Sequence, residues 1–230
     1  MGISQAGKLI LQALKTSWEH FTTLIVLNLV WFLLSFSPLF IDAFTKGSLG
    51  WFFVFIAASL FLLGPVTAAV QYLVWQLVRN NEISVGEFVQ ALKRFFWRGL
   101  ALVGIGIVTL LAIAGLFTLT SSSASFIMRV ITGMVLYLAL FWLLVAQFVF
   151  PHLVQYDLGV RAVILRSARL VVDNLLVSLV LLLVCGLLTF ISFILVIPVI
   201  LLWFTVISLL QNSIMVELVD SSNGHSKDLE

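Results

Sequence analysis

Histidines and carboxylates lie at two points of the chain where they could bind a metal ion. His20 directly follows Glu19, and His152 lies five residues before Asp157. Imidazole and carboxylate groups are ordinary zinc ligands, so these side chains would form a site if the fold brought them together. The sequence lacks the HxxxH or HExxH spacing that places two ligands on one helix face. We therefore expect two separate histidines in polar surroundings and no metal or other cofactor.

Residue patterns for other chemistry do not occur in the sequence. It contains no Ser-His-Asp grouping, no P-loop and no Gly-x-Gly-x-x-Gly phosphate loop. The single cysteine, Cys185, lies in an apolar run and cannot form an internal disulfide. These features favour a protein that is not an enzyme and has no catalytic residues.

Asn28 is the strongly polar side chain that we place nearest the middle of the first apolar segment. At membrane depth, such a residue could contact a substrate or an ion. It could instead donate a hydrogen bond to a neighbouring helix, which is the interpretation we favour.

A Gly-Pro motif interrupts the second apolar segment, where Gly64 and Pro65 are followed by Thr67 and Ala68. A proline removes one backbone donor and frees a carbonyl one turn earlier. Gly64 and Ala68 are four residues apart and form a small face that lets another helix approach closely. Packing and kinking therefore explain the motif, although broken helices also line hinges and ion sites in transporters. Pro38 is expected to kink or end its own segment.

The elements that would position these residues are membrane helices. Of the 230 residues, 62% are hydrophobic and 10% are charged, whereas soluble domains are about 45–50% apolar and about 25% charged. The apolar residues occur in runs of about 20, the length of helix that crosses a bilayer. The net charge is only +2, which does not indicate nucleic-acid binding.

We expect an all-α polytopic membrane protein with about six transmembrane helices. The predicted spans cover residues 19–41, 49–77, 97–119 and 125–150, with two more inside 171–219 that join near 190–198. Residues 1–219 would form one integral membrane domain, and 220–230 a polar, disordered cytoplasmic tail. Ten basic residues lie on the side of both termini, and two, Lys46 and Arg129, on the other. This asymmetry predicts that both termini are cytoplasmic. It does not exclude an arrangement with five spans, which would place only the C-terminal tail on the other side of the membrane.

Amphipathic helices are predicted at 83–99 and 159–172. Ser84 and Glu87 have capping-box spacing, and apolar residues recur at helical intervals after them. Such helices would lie in the headgroup plane, with basic residues that contact anionic lipid or a partner's surface. The basic residues in question are Arg79, Lys93, Arg94, Arg98, Arg161, Arg166 and Arg169.

Three stretches of the sequence are similar enough to suggest an internal repeat. Gln-Ala-Leu-Lys occurs at 12–15 and again at 90–93, and Gly159 opens a third, weaker copy. We predict three parallel two-span repeats, each starting with an amphipathic helix. The alternative is that basic amphipathic helices before a span are alike in unrelated proteins.

The segments LNLVWFLLSFSPLF (27–40), GPVTAAVQYLVWQLVRN (64–80) and VGEFVQALKRFFWRG (85–99) resemble the YesL-like family of bacterial integral membrane proteins, catalogued as domain of unknown function 624. The matching residues are Asn28, Trp31, Pro38, Gly64, Pro65, Thr67, Ala68, Ala69, Arg79, Phe88 and Phe95. The resemblance implies a multi-pass protein of the bacterial plasma membrane that is often encoded beside carbohydrate ABC-transport genes. It implies no biochemical activity.

Two functions remain open from the sequence. The first is an accessory, scaffolding or regulatory role in a carbohydrate transport system, with a partner such as an ABC transporter permease. The second is a transporter or channel in its own right, with a path lined by Asn28, Thr67 and the kink at Pro65. The predicted spans contain few polar residues, which favours the accessory role, because a solute path needs polar groups at membrane depth.

Overall fold

The fold is a bundle of α-helices. The computed structural model describes residues 3–45, 49–79, 81, 83–122, 125–195 and 200–227, and these residues contain no β-strand. Five helical segments are long and apolar enough to cross a membrane: Phe21–Ile41, Gly50–Val78, Val85–Ser121, Phe126–Tyr156 and Leu175–Leu195. The apolar helix Trp203–Val219 is shorter. The predicted all-α polytopic fold is therefore confirmed. The described helices are α1 (Ile3–Glu19), α2 (Phe21–Thr45), α3 (Leu49–Val78), α4 (Val85–Ser121), α5 (Phe126–Tyr156), α6 (Val160–Asp173), α7 (Leu175–Leu195) and α8 (Trp203–Lys227).

Helix α4 corrects one prediction. It continues for 37 residues without interruption, a length of about 55 Å, so segment 83–99 is the start of a span and not a separate surface helix. The predicted capping box is present: Ser84 Oγ accepts from the Glu87 N–H, and the Glu87 carboxylate accepts from the Ser84 N–H, both at 3.2 Å. The apolar face of this segment packs on protein, because Phe95 is fully buried and contacts Tyr72 of α3.

Helices α1 and α6 are the two separate amphipathic helices. Helix α1 contacts α7 and α8 and buries Ile10, Ala13 and Ser17. Helix α6 contacts α5 and buries Val163 and Ser167. The remaining face of each helix is polar or exposed, as the 3.6-residue period of the sequence requires.

The helices pack in the order expected of three two-span units. Helices α3, α5 and α8 correspond to the second span of each predicted unit and contact one another, and we call them the inner helices. The first span of each unit is α2, the later part of α4, or α7. It contacts the inner helix of its own unit and the inner helix of the preceding unit. For α2, in the first unit, the second of these contacts is with α8 of the third unit. Each amphipathic segment also contacts the inner helix of the preceding unit: α1 contacts α8, the start of α4 contacts α3, and α6 contacts α5. The contacts therefore agree with the predicted repeat.

One end of the bundle carries most of the basic residues. There α3 and α5 end, α2, α4 and α7 begin, and α1 and α6 lie alongside. We call it the basic end. Helix α8 continues to Lys227 and so includes part of the segment for which the sequence predicts disorder. The turn predicted near 190–198 lies partly outside the described residues, since 196–199 are not described.

Candidate functional site

Asn28 lies beside an interruption of helical structure. The helical backbone is interrupted at Leu202, one residue before α8 begins. Asn28 is fully buried, and its Nδ2 donates to the carbonyl of Ile200 at 2.6 Å. Its Oδ1 accepts from the backbone N–H groups of Phe204 and Thr205 at 3.0 and 3.3 Å. These are the backbone groups that a helix end leaves without helical partners, so one amide caps both sides of the interruption.

Trp31, almost one turn further along α2, joins this interruption to the Gly-Pro motif. Its Nε1 donates to Thr67 Oγ1 at 2.9 Å. Its ring stacks on Phe204, with 4.4 Å between ring centroids and 12° between ring planes. Thr67 and Trp31 are both buried. Thr67 is therefore bound by another side chain of the protein, and α2, α3 and α8 meet at one point.

Helices α3 and α4 cross in close contact at Gly64 and Gly99. A Cβ atom on Gly64 would lie 2.5 Å from the Gly99 carbonyl oxygen, and one on Gly99 would lie 2.7 Å from the Gly64 carbonyl oxygen. Because both obstacles are helical backbone, neither position has room for a side chain. Ala68, one turn after Gly64, is fully buried. Pro65 and Pro38 are contained within α3 and α2, so neither proline ends its helix.

Four amide side chains, of which Gln71 and Asn212 are buried and Gln155 and Gln211 are partly buried, form a cluster that the sequence interpretation missed. Asn212 of α8 is fully buried, and its Nδ2 donates to Gln71 Oε1 of α3 at 2.6 Å. Asn212 Oδ1 accepts from Gln155 Nε2 of α5 at 2.9 Å. Gln71 Nε2 donates to Gln211 Oε1 at 3.3 Å. Each inner helix thus contributes an amide, and we call these four residues the amide cluster.

The bundle is consequently more polar inside than the sequence interpretation assumed. Besides Asn28 and the amide cluster, Gln147 is buried and donates to the Ser178 carbonyl at 3.0 Å. The sequence interpretation counted few polar residues in the predicted spans and gave no weight to Gln71, Gln147 and Gln155. Gln71, a polar residue inside the segment 64–80, could have indicated a buried polar contact from the sequence alone.

Arg94 and Arg98 bind a carboxylate of the same chain. Asp157 ends α5 in a left-handed backbone conformation with φ of 52°. Its two carboxylate oxygens each lie 2.6 Å from a guanidinium nitrogen, Oδ2 from Arg94 and Oδ1 from Arg98. Arg98 Nη1 also donates to the carbonyls of Asp157 and Leu158 at 3.0 and 3.1 Å. This arrangement caps the end of α5 with positive charge, which its dipole favours.

The other five basic residues named above have different surroundings. The Arg79 guanidinium lies 4.8 Å from the centroid of the Trp75 ring, and that of Arg166 lies 5.8 Å from the Tyr156 ring. Both contacts are of the cation–π type. The remaining three are exposed: Lys93, Arg161 and Arg169.

The charge state of Asp157 makes the end of α5 sensitive to acid. Burial raises the pKa of Asp157, but the hydrogen bonds and charges of Arg94 and Arg98 lower it by more, so it lies below its ordinary value of 3.8. Because the folded-state pKa is lowered, the carboxylate stabilises the fold above the ordinary pKa. That stabilisation is lost as the pH falls through the lowered pKa.

Asp157→Asn is expected to lower the free energy of unfolding by less than about 1 kcal/mol at neutral pH, because the three side chains are partly exposed. Asparagine tolerates a positive φ, so the substitution removes the charge without straining the backbone. Thermal unfolding in detergent would measure the difference. The difference should shrink as the pH falls below 3.8 and vanish once the pH is below the lowered pKa of Asp157; a difference that persists there would show that the ion pairs are not its cause.

His152 is buried between α5 and α6. Its Nδ1 lies 3.0 Å from the Phe148 carbonyl oxygen and 3.0 Å from Ser167 Oγ. In the described part of the chain, no three histidine, cysteine, aspartate or glutamate side chains lie close enough to hold a metal ion. The structure therefore pairs His152 with α6 and does not join it to His20 and the carboxylates.

No family model, no curated protein and no solved structure matches the chain. The resemblance to the YesL-like family stays a prediction. The function is therefore argued from the contacts of this chain.

Proposed function

We propose that this protein is an accessory, scaffolding or regulatory component of a bacterial carbohydrate transport system, with its basic end in the cytoplasm. The observation that carries the proposal is that Asn28, Thr67 and Asn212, which are buried polar residues, are bound by other groups of the protein. Asn28 binds backbone at the α8 interruption, Thr67 binds Trp31, and Asn212 binds Gln71 and Gln155. A solute path needs polar groups that remain available to the solute at membrane depth.

Two further features support the cytoplasmic placement and the link to carbohydrate. Basic residues concentrate at one end of the bundle, and lysine and arginine are enriched on the cytoplasmic side of membrane proteins. The resemblance to a family encoded beside carbohydrate ABC-transport genes supports the kind of system.

The basic end offers a surface on which a partner could bind. Trp18 of α1 and Trp97 of α4 are 78% and 73% exposed, and Lys93 is exposed on the same segment of α4. Exposed tryptophan beside positive charge suits either the bilayer interface or the core of a protein contact. We propose that part of this surface contacts the cytoplasmic side of a permease.

Purification from native membranes in nanodiscs, followed by crosslinking and mass spectrometry, tests the proposal. We expect a stoichiometric permease whose crosslinks reach the basic end. Lys93→Glu should reduce its recovery severalfold, because charge reversal at an interface opposes association. Arg129→Glu is the matched control, since Arg129 is exposed at the opposite end of α5. Recovery of the protein alone, or only with copies of itself, would contradict the proposal.

A transporter or channel is the second candidate, and one observation favours it. Thr205, Ser208 and Asn212 are fully buried on one face of α8, which extends from the Asn28 site to the amide cluster. Within the described residues, Ser208 Oγ has no hydrogen-bond partner. Interrupted helices with such polar faces line solute sites in transporters.

Ser208→Ala separates the two candidates. Removing an unpartnered buried hydroxyl should leave stability unchanged or slightly raised if the residue only packs. Loss of a solute flux from a protein of unchanged stability would support the transporter.

A further inference from the structure

A cleft of about 240 Å³ lies between α4, α5 and α6. Two of these helices, α4 and α5, are long and apolar enough to cross a membrane, and the lining residues Ile105 and Leu110 are exposed, so we expect the cleft to open to lipid. Gly106 leaves part of this space open, because a Cβ atom there would meet no atom within 4 Å. The side chains around it are apolar and include Leu102, Leu110, Trp142, Ala146 and Ile164.

Positive charge lies one turn from this cleft on two helices. Arg98 precedes Leu102 by four residues on α4, and Arg161 precedes Ile164 by three on α6, so each pair shares a helix face. Arg161 is exposed. Arg94 and Arg98 share the single carboxylate of Asp157, so that group keeps one excess positive charge. The cleft is therefore apolar along its length and cationic at the basic end.

We propose that this cleft binds one anionic phospholipid, with an acyl chain along the apolar walls and the phosphate beside Arg161. An anionic phospholipid matches both parts of the cleft, because its acyl chain is apolar like the walls and its headgroup carries the negative charge that Arg161 complements. The phosphate complements the charge at the rim. The site depends only on the membrane-spanning fold and not on the proposed transport role.

Native mass spectrometry of the purified protein, titrated with phosphatidylglycerol or phosphatidylcholine, tests this site. We expect one phosphatidylglycerol to bind more tightly than phosphatidylcholine. Gly106→Leu should fill the cleft and weaken phosphatidylglycerol binding at least about tenfold. Gly104→Leu is the matched control, because a Cβ atom there also meets nothing within 4 Å and Gly104 does not line the cleft.

Arg161→Gln gives a second test that does not alter the interior. It should weaken phosphatidylglycerol binding about fivefold and leave phosphatidylcholine binding unchanged, since one surface cation near a headgroup contributes on that scale. Arg169→Gln, at another exposed position of α6, should have little effect. Equal binding of both lipids by the wild-type protein, or equal weakening by Gly106→Leu and Gly104→Leu, would overturn the proposal.

Discussion

Gly64→Leu is expected to prevent the bundle from reaching its packed state. Even a Cβ atom at this position would lie 2.5 Å from the Gly99 carbonyl oxygen and 2.8 Å from the Leu100 nitrogen. These are backbone atoms of a continuous helix, so the clash is relieved only if α3 and α4 separate. Overpacking a rigid core costs about 1–3 kcal/mol and sometimes more, and we expect the upper part of that range or beyond. Size-exclusion chromatography and thermal unfolding in detergent would show the loss of folded monomer.

Gly104→Leu provides the control on the partner helix. It places the same side chain on α4 at an exposed position where a Cβ atom meets nothing within 4 Å. The control should fold as the wild-type protein does, and Gly99→Ala should be destabilised together with Gly64→Leu. Wild-type stability of Gly64→Leu would mean that α3 and α4 do not cross at these two glycines.

Asn28→Ala is expected to destabilise the protein by about 2–4 kcal/mol. The substitution removes the partners of the Ile200 carbonyl and of the N–H groups of Phe204 and Thr205. A buried backbone group without a partner costs about 1–3 kcal/mol, and both Asn28 and Thr205 are fully buried. The effect should exceed that of an average interhelical side-chain hydrogen bond in a membrane protein, about 0.6 kcal/mol. Unfolding in a denaturing detergent titration would measure it.

Thr67→Val is the control for Asn28→Ala. It removes one hydrogen bond, from Trp31 Nε1, and keeps the side-chain shape. We expect a loss of about 1 kcal/mol. If Asn28→Ala kept wild-type stability and instead abolished a solute flux, Asn28 would be a ligand-contacting residue, and the structural role assigned here would be wrong.

The small face of the Gly-Pro motif could be predicted from spacing, but its partner could not. Gly64 and Ala68 are one turn apart, which is sufficient to predict a close helix contact. Gly99 lies at the start of the apolar run that contains Gly104 and Gly106, and its position in the sequence does not predict a helix contact. Only the crossing of α3 and α4 makes Gly99 different from the other two.

The course of segment 83–99 was mispredicted for a similar reason. Its period and capping box are local features, and both are present in the structure. Whether its apolar face lies on lipid or on protein depends on α3, where Tyr72 contacts Phe95. A single sequence shows the amphipathic face and not what covers it, because lipid and leucine are equally apolar.

The amide cluster shows the limit of the same approach for buried polar residues. Gln71, Gln155 and Asn212 lie on three different helices, separated by 57 to 141 residues. Each alone suggests an isolated polar side chain in or near a span. They become partners only because the inner helices meet, and the three-unit arrangement that brings them together was predicted as a repeat without its inner contacts.

The most direct test of the accessory role is solute flux through the purified protein alone. The protein would be reconstituted in liposomes containing phosphatidylglycerol, and uptake of a panel of radiolabelled mono- and disaccharides would be compared with that of empty liposomes. The account predicts no saturable, substrate-specific uptake, because Asn28 and the amide cluster are bound by other groups of the protein. Specific uptake that Ser208→Ala reduces without loss of stability would contradict the account and identify the polar face of α8 as a solute path.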